Sequence, residues 1–253
     1  MKEKIRFFEE IAANAHIALN VALYDGWLLR SSYGHTNRAN SISVIYPCKI
    51  NINQKIPYCE EWYKKQELPC LFKITQEKSN KKLNKALKAR GYQADAETDV
   101  LILNLDSIND FLTLEADYEI TFSEKPTEEW ISAFFDFKET NQKDQETFRL
   151  MLSKVSVKTI YASLKQNGKI VACASAAIEH GFMLLQNVVV DKNARKKGFG
   201  KLICQAIILE SKKEGAKFSY LQVLKTNEIA INLYKKLGFK KLYSYWYMIQ
   251  KRP

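Results

Sequence analysis

Along the second half of the chain the apolar positions switch between two periods. Residues 159–164 and 170–178 are short apolar runs, separated by Gln166-Asn167-Gly168-Lys169. Asn-Gly favours a tight hairpin because both residues tolerate positive φ, so these runs are predicted to be paired strands. A third run, 182–190, ends in the β-branched triplet Val188-Val189-Val190. From Lys201 the spacing becomes helical, with Leu202, Ile203, Ala206 and Ile207 on one side and Gly215 as the stop. Residues 218–224 return to strand. Thr226 then reads as the cap of a helix that turns Ala230, Leu233, Tyr234 and Leu237 inward and closes at Gly238. Residues 239–249 make a last strand.

The first half carries a fainter copy of this order. Strands are predicted over 23–33 and 41–46, a helix over 53–66, a strand over 70–74, a helix over 81–90 and a strand over 100–105. Ala89-Arg90-Gly91-Tyr92 matches Lys236-Leu237-Gly238-Phe239 in position and type. The pattern predicts a mixed α/β fold, with a mixed central sheet flanked by helices, built as two tandem copies of one unit. The join is placed in the polar stretch 106–117, giving domains 1–114 and 115–253.

The composition suits a packed core: 46% of the 253 residues are apolar and 12% aromatic. No apolar run reaches the roughly 20 residues of a membrane-spanning helix, and the start of the chain has no secretory pattern. The expectation is a soluble, cytoplasmic protein with no membrane partner. Five cysteines without a Cys-x-x-Cys pair, and three histidines, give no zinc framework, so no metal is expected. The net charge of +11 is spread over helix faces. Without aromatic and basic residues interleaved, or a helix-turn-helix signature, it does not point to nucleic acid.

Candidate chemistry begins where the third strand ends. Val190 is followed by Asp191-Lys192-Asn193-Ala194-Arg195-Lys196-Lys197-Gly198-Phe199-Gly200-Lys201, a basic, glycine-containing loop running into a helix. Glycines let backbone N–H groups approach an anion, and the helix start adds its own free donors and partial positive charge. The loop is built to cradle a diphosphate. It is not a P-loop, because no Gly-Lys-Ser or Gly-Lys-Thr ends it, and it lacks the three-glycine dinucleotide fingerprint. In the next helix, Asn227 and Tyr234 lie seven residues apart, on one face and about 10 Å from each other.

The loop and this helix, in this order and spacing, resemble the two signature segments of the GNAT superfamily of acetyl-CoA-dependent N-acyltransferases. The loop is similar to its Arg/Gln-x-x-Gly-x-Gly/Ala pattern at Arg195, Gly198 and Gly200. The helix is similar to its Asn-x-x-Ala-x-x-Leu-Tyr-x-x-x-Gly-Phe pattern at Asn227, Ala230, Leu233, Tyr234, Gly238 and Phe239. The resemblance spans about residues 117–253. It implies acetyl-CoA as co-substrate, with the backbone of Val188, Val189 and Val190 on the pantetheine arm. Arg195, Lys196, Lys197, Gly198, Phe199, Gly200 and Lys201 would take the pyrophosphate, Asn227 would contact the cofactor, and Tyr234 would be the general acid. A primary amine, of a small molecule or a protein, would receive the acetyl group by direct attack in a ternary complex.

Some relatives place a glutamate as general base five residues before the helix asparagine; here that position is Gln222, an amide that cannot usefully accept a proton near neutral pH, and Glu179 could serve through water, against its reading as a solvated turn carboxylate. The first half, with Tyr24-Asp25-Gly26-Trp27 and Thr36-Asn37-Arg38-Ala39-Asn40, resembles the N-terminal segments of two-domain bacterial GNAT proteins. Its loop 46–53 has no glycine and Leu87 stands where the other copy has Tyr234, so this half is expected not to bind CoA. Trp27, Arg30, Arg38 and Asn40 are candidates for setting amine choice, against a purely structural reading of the same residues. A non-catalytic module that senses acyl-CoA or binds an acidic partner is the alternative to an enzyme.

Overall fold

A computed structural model describes residues 2–108 and 117–250; the expected boundary between 114 and 115 lies outside the described residues. The N-terminal part runs α1 (Lys2–Ala15), β1 (Asn20–Tyr24), β2 (Trp27–Ser31), β3 (Ile42–Val44), α2 (Ile52–Lys64), β4 (Leu71–Thr75), α3 (Lys81–Ala89) and β5 (Tyr92–Asn104). The rest runs β6 (Tyr118–Ser123), α4 (Glu128–Lys138), α5 (Gln142–Ser153), β7 (Lys158–Gln166), β8 (Lys169–Glu179) and β9 (Phe182–Val190). It ends with α6 (Phe199–Lys213), β10 (Phe218–Leu224), α7 (Glu228–Lys236) and β11 (Lys240–Gln250). The expected mixed α/β architecture is present.

The strands form one mixed sheet in the order β1-β2-β3-β4-β11-β5-β10-β9-β8-β7-β6. This order interlocks the two halves. The last strand of the chain, β11, pairs antiparallel with β4 and β5. In turn β5 pairs with β10. Each half thus donates its last strand into the other, so backbone hydrogen bonds run across the join without an exposed edge.

The repeat survives locally. The β1–β2 hairpin turns on Asp25-Gly26 and the β7–β8 hairpin on Asn167-Gly168, all four at positive φ. Such a turn requires φ > 0 at both central positions, which is why the two copies keep Asp-Gly and Asn-Gly there.

Period-2 alternation sorts the sheet's two faces. In β11, Tyr243, Tyr245 and Tyr247 join the cluster covered by α1. The alternate residues Trp246 and Met248 join the core under α2 and α3. On that second face α6 and α7 cover β5, β8, β9 and β10. Helix α1 buries Ile5, Phe8, Ile11, Ala12 and Ala15 along one stripe. Helices α4 and α5 were not among the expected elements. Each has a side-chain cap, Thr127 accepting from Trp130 N and Asn141 from Asp144 N. They bury Trp130, Phe134, Phe135 and Phe148 against Tyr161, Cys173 and Val189, on the α1 side.

Candidate functional site

The expected cofactor segments converge where β9 and β10 part. Their parallel ladder covers only Phe218–Tyr220 against Phe182–Leu184, although β9 continues to Val190 and β10 to Leu224. A bulge in β9 accompanies the split. The β8–β9 register shifts between Cys173↔Val189 and Ser175↔Gln186. Within the bulge Asn187 adopts φ 57° and its Nδ2 donates to Ser175 Oγ at 2.8 Å. A bulge re-aims a strand and ends its pairing, which leaves main-chain groups of β9 facing a gap beside β10.

The loop after β9 is exposed and ordered by its own residues. The Asp191 carboxylate accepts from Asn193 N at 2.9 Å. Ala194 is buried, and the Arg195 Nε–H reaches back to Val190 O at 3.4 Å. Lys196 (φ 65°) and Gly198 (φ 85°) are both left-handed, and Gly198 is the N-cap of α6. A Cβ on Gly198 would meet nothing within 4 Å, so its position opens outward. One at Gly200 would touch Leu233 and Val190 side chains at 3.6 and 3.7 Å. Lys196, Lys197 and Lys201 are exposed, whereas Phe199 is core, edge-on to Tyr118 at 5.3 Å. Of the three valines, Val189 packs with Trp130 and Phe135. Val188 and Val190 lie partly buried on the α6 side.

Asn227, rather than the expected Thr226, caps α7: its side chain accepts from Ala230 N at 3.1 Å. Tyr234, two turns on, is buried edge-to-face against Phe239, centroids 5.7 Å apart. Its hydroxyl has no hydrogen-bond partner among the described residues. Burial, reinforced by the neighbouring Cys204, pushes its pKa well above the ordinary phenol value. Both the position of the expected base, Gln222, and Glu179 are engaged. Tyr245 Oη donates to Gln222 Oε1 at 3.0 Å. Asn14 on α1 donates to both Glu179 oxygens at 3.1 and 3.2 Å.

The first half's counterpart loop is filled from within. Asp25 accepts from the backbone N–H groups of Lys49 and Ile50 at 2.9–3.0 Å, and from Lys55 Nζ at 3.1 Å. The Lys49 and Ile50 hydrogen bonds hold the Asp25 pKa below its usual value. A carboxylate of the protein occupies the donors that precede α2.

Of the four N-terminal candidates, three are structural. Trp27 is 1% exposed in the core. Arg30 is buried and donates to Ala13 O at 3.3 Å and to His16 O. Asn40 accepts from Ser32 N and Gly34 N and donates to Thr36 O, at 2.7–2.9 Å. Arg38 alone is half-buried with no hydrogen bond or ion pair among the described residues.

Under α1 lies a polar interior that was not anticipated. Lys73 Nζ sits 2.6 Å from Glu9 and 4.0 Å from the Tyr245 ring centre. Tyr243 Oη donates to Glu9 at 2.7 Å. The alternation Tyr243-x-Tyr245-x-Tyr247 was a visible signal for one sheet face; its polar partners come from α1 and β4, distant in sequence. Burial, then the charges of Arg38 and Arg30, hold the His16 pKa well below 6.5. No described helix is long and apolar enough to cross a membrane.

Comparison with known proteins agrees with this architecture. A family model described as "Probable histone acetyltransferase Rv0428c C-terminal" matches residues 3–248. The Bacillus subtilis protein "Uncharacterized N-acetyltransferase YobR" is 25% identical over 249 residues, covering 98% of this chain and all of that protein. The Escherichia coli [ribosomal protein bS18]-alanine N-acetyltransferase is 35% identical over 78 residues, which are 31% of this chain and 53% of that protein. A GCN5-related N-acetyltransferase from Kribbella flavida superposes with TM-score 0.72 at 12% identity, covering 100% of this chain and 96% of its own. A tandem GNAT protein from the clavulanic acid biosynthesis pathway superposes with TM-score 0.67, also at 12% identity, over 97% and 88% of the two chains. The chain belongs to the family matched over residues 3–248, within the GNAT superfamily, and is an N-acetyltransferase by family.

Proposed function

We propose that the chain moves an acetyl group from acetyl-CoA to a primary amine by direct attack within a ternary complex. The observation that carries this is the opening between β9 and β10 where their ladder ends at Tyr220↔Leu184, next to the loop that starts α6. Gly198 opens outward at the helix start and Lys196, Lys197 and Lys201 stand around it, a set of donors and charges that fits a diphosphate. Acetyl-CoA would supply the activated acetyl thioester. The residues of the chain then have four tasks. Backbone of Val188–Val190 would hold the extended arm by strand-like hydrogen bonds, and Arg195 would keep the loop in place through Val190 O. Asn227 acts by capping α7, which sets the position of Tyr234. The Tyr234 hydroxyl would give its proton to the departing thiolate.

Direct attack is favoured over a covalent enzyme intermediate by the two thiols of the second half. Cys173 and Cys204 are both fully buried, and burial pushes each up to about 12, so neither forms a thiolate near neutral pH. The attacking amine must first lose a proton, since a free alkyl amine has a pKa near about 10. With Gln222 unable to serve and Glu179 held by Asn14, water at the cleft would carry that proton away. The test is titration with acetyl-CoA, followed by thiol release on adding a panel of amines. Binding without thiol release from any amine would refute transfer and leave a sensing module. No binding would remove the cofactor assignment.

A further inference from the structure

Acetyl transfer to an amine releases a proton as the new bond forms, and neither Gln222 nor Glu179 is placed to take it. Gln222 is an amide bonded to Tyr245. Glu179 is held by Asn14 and sits opposite Phe182, at the far end of the β8–β9 ladder from the bulge. The bulge itself adjoins a small cavity of about 20 Å³. Its walls come from both halves of the chain: Gln186 and Asn187 of the bulge, Thr159 and Tyr161 of β7, Met151 of α5, and His16 at the end of α1. A space of that size exceeds the roughly 10–15 Å³ that one water needs, and it is too small to hold its walls apart by much more than one water. His16 and the bulge therefore face each other across a single solvent molecule.

The fold holds the His16 ring by one edge. Nε2 lies 3.2 Å from Thr36 Oγ1, and Thr36 is fixed in turn as the cap of the 3-10 turn Asn37–Ala39, accepting from Ala39 N. With Nε2–H donating to that oxygen, the ring's lone pair is left on Nδ1. Nδ1 makes no hydrogen bond among the described residues and is not among the enclosed, unpartnered polar atoms, so water reaches it. Tyr161 lines the same cavity, and by the same two observations its hydroxyl is unbonded and reached by water. Burial pushes its pKa up to about 12, so it remains a donor. A water here would have Tyr161 as donor, His16 Nδ1 as acceptor and the incoming nitrogen as third partner, and buried waters typically make about three such bonds. The charged groups around the ring keep it neutral. Burial, then Arg38, Arg30, His35 and Lys73, all lower the His16 pKa. From α5, β7 and β9 the cavity receives no ionised side chain, and Tyr161 is the one group there that titrates. An imidazole that resists charge keeps its lone pair available and holds a proton only in passing.

We propose that His16 Nδ1 takes, through one water at the β9 bulge, the proton that the acceptor nitrogen loses on attack. This rests on the acetyl-transfer reading above and adds a proton acceptor to it, one that the first half supplies. The free amine nitrogen bonds to the thioester carbon and the carbon–sulfur bond breaks. One N–H proton passes to the water, which gives one of its own to Nδ1. The departing thiolate takes the proton of Tyr234, and both side chains return to their starting state by exchange with solvent. A weakly basic imidazole suits the acidic N–H of the adduct formed on attack, rather than a free alkylammonium with its pKa near about 10.

The test uses the full chain, acetyl-CoA and whichever amine of the panel gives the fastest thiol release. His16→Gln keeps a side-chain N–H for Thr36 and removes the base, while His16→Ala leaves room for imidazole. In both, kcat should fall on the order of 10²-fold, the scale of a lost general base, while acetyl-CoA binding by calorimetry stays near wild type. Added imidazole should restore part of the rate to His16→Ala and none to His16→Gln. The ratio of wild-type to His16→Gln kcat should shrink as the pH falls well below 6.5, where the imidazole takes up a proton and can accept no other. A thermal melt checks that each variant is folded. A folded His16→Gln that keeps more than about a tenth of the wild-type kcat overturns the inference. So does a loss that imidazole does not reverse and that leaves the ratio independent of pH, which would make His16 a packing residue. A wild type that binds acetyl-CoA and releases no thiol with any amine overturns the transfer reading and this inference with it, and needs no variant to be recognised.

Discussion

Replacing Tyr234 by Phe removes one oxygen and leaves the ring on Phe239, which separates chemistry from packing. The hydroxyl makes no hydrogen bond among the described residues, so its loss breaks none. The residue keeps 9% of its surface exposed and its oxygen is not among the enclosed, unpartnered polar atoms, so water reaches the hydroxyl and stability should stay within about 1 kcal/mol of wild type. For a chain of this length that is a shift in melting temperature of about 2–4 °C at most. The rate should behave differently. If Tyr234 protonates the departing thiolate, single-turnover acetyl transfer should fall on the order of 10²-fold, while acetyl-CoA binding stays close to wild type. The sign of the pKa shift adds a second readout. Burial raises the phenol pKa, so the proton remains in place through pH 10 and ionisation of Tyr234 should not produce a basic limb below that. The reasoning fails if the Phe variant keeps more than about a tenth of the wild-type rate, or if wild type loses activity near pH 10 through a group that Tyr234→Phe abolishes. A structural tyrosine would show activity lost only in step with unfolding.

Further outcomes can be checked by binding and stability. Gly198→Asp places a carboxylate at the start of α6 and should weaken acetyl-CoA by more than about tenfold in calorimetry; Gly198→Asn, which tolerates the left-handed φ of 85° without charge, should lose much less. Calorimetry should give one CoA per chain, since Asp25 already occupies the donors ahead of α2; two equivalent sites would refute this. Glu9→Gln leaves Lys73, only 7% exposed, without its ion pair, and should cost about 3–5 kcal/mol in urea denaturation. A fragment of residues 117–253 should fail to fold, because β11 would lose both strands it pairs with; a soluble fragment with a cooperative melt would overturn that.

The sequence carried the elements whose signal is local. The Asn-Gly hairpin, the β-branched end of β9, the glycine stop of α6 and the α7 periodicity all lie within a few residues of what they predict. Helices α1, α4 and α5 were not anticipated, although Thr127 and Asn141 stand as caps ahead of apolar periodic runs. Strand β5 was expected to be short because its first half, Tyr92–Glu97, is polar; it is a strand because β11 pairs with it. That pairing joins residues some 150 apart, and no local pattern encodes it. The candidate site divides in the same way. The basic loop and α7 were legible because each is one contiguous segment. Asn227 was legible by type, while its role as the cap of α7 needed the backbone geometry. Arg38 could be singled out but not distinguished from Arg30 and Asn40, because only the fold shows which of them is already satisfied. Glu9, Lys73, Tyr243 and Tyr245 come from α1, β4 and β11, and their meeting depends on the sheet order.

The interlocked sheet also gives a reason to keep a first half whose own loop is filled by Asp25. With Asp25 as a built-in anion, that loop is satisfied and stable without a ligand, so the half is free to serve as wall and support. Its β5 lies between β10 and β11, and α1 lies across the face on which Gln222 and Tyr245 meet. The 3-10 turn that carries Arg38 is set by Thr36 and Asn40, both residues of the first half. Strand β11 belongs by sequence to the second half yet runs between β4 and β5, which puts Tyr247 beside Lys73. The loop ahead of α6, held by the second half, and the face under α1, held by the first, are then fixed relative to each other by continuous backbone hydrogen bonds rather than by a side-chain interface. Positioning two reactants to within a fraction of an ångström is worth several orders of magnitude in rate, and a shared sheet resists the hinge motion that two separately folded units would allow. A copy whose loop is filled by its own carboxylate can therefore be retained for geometry, provided its last strand stays in the other copy's sheet.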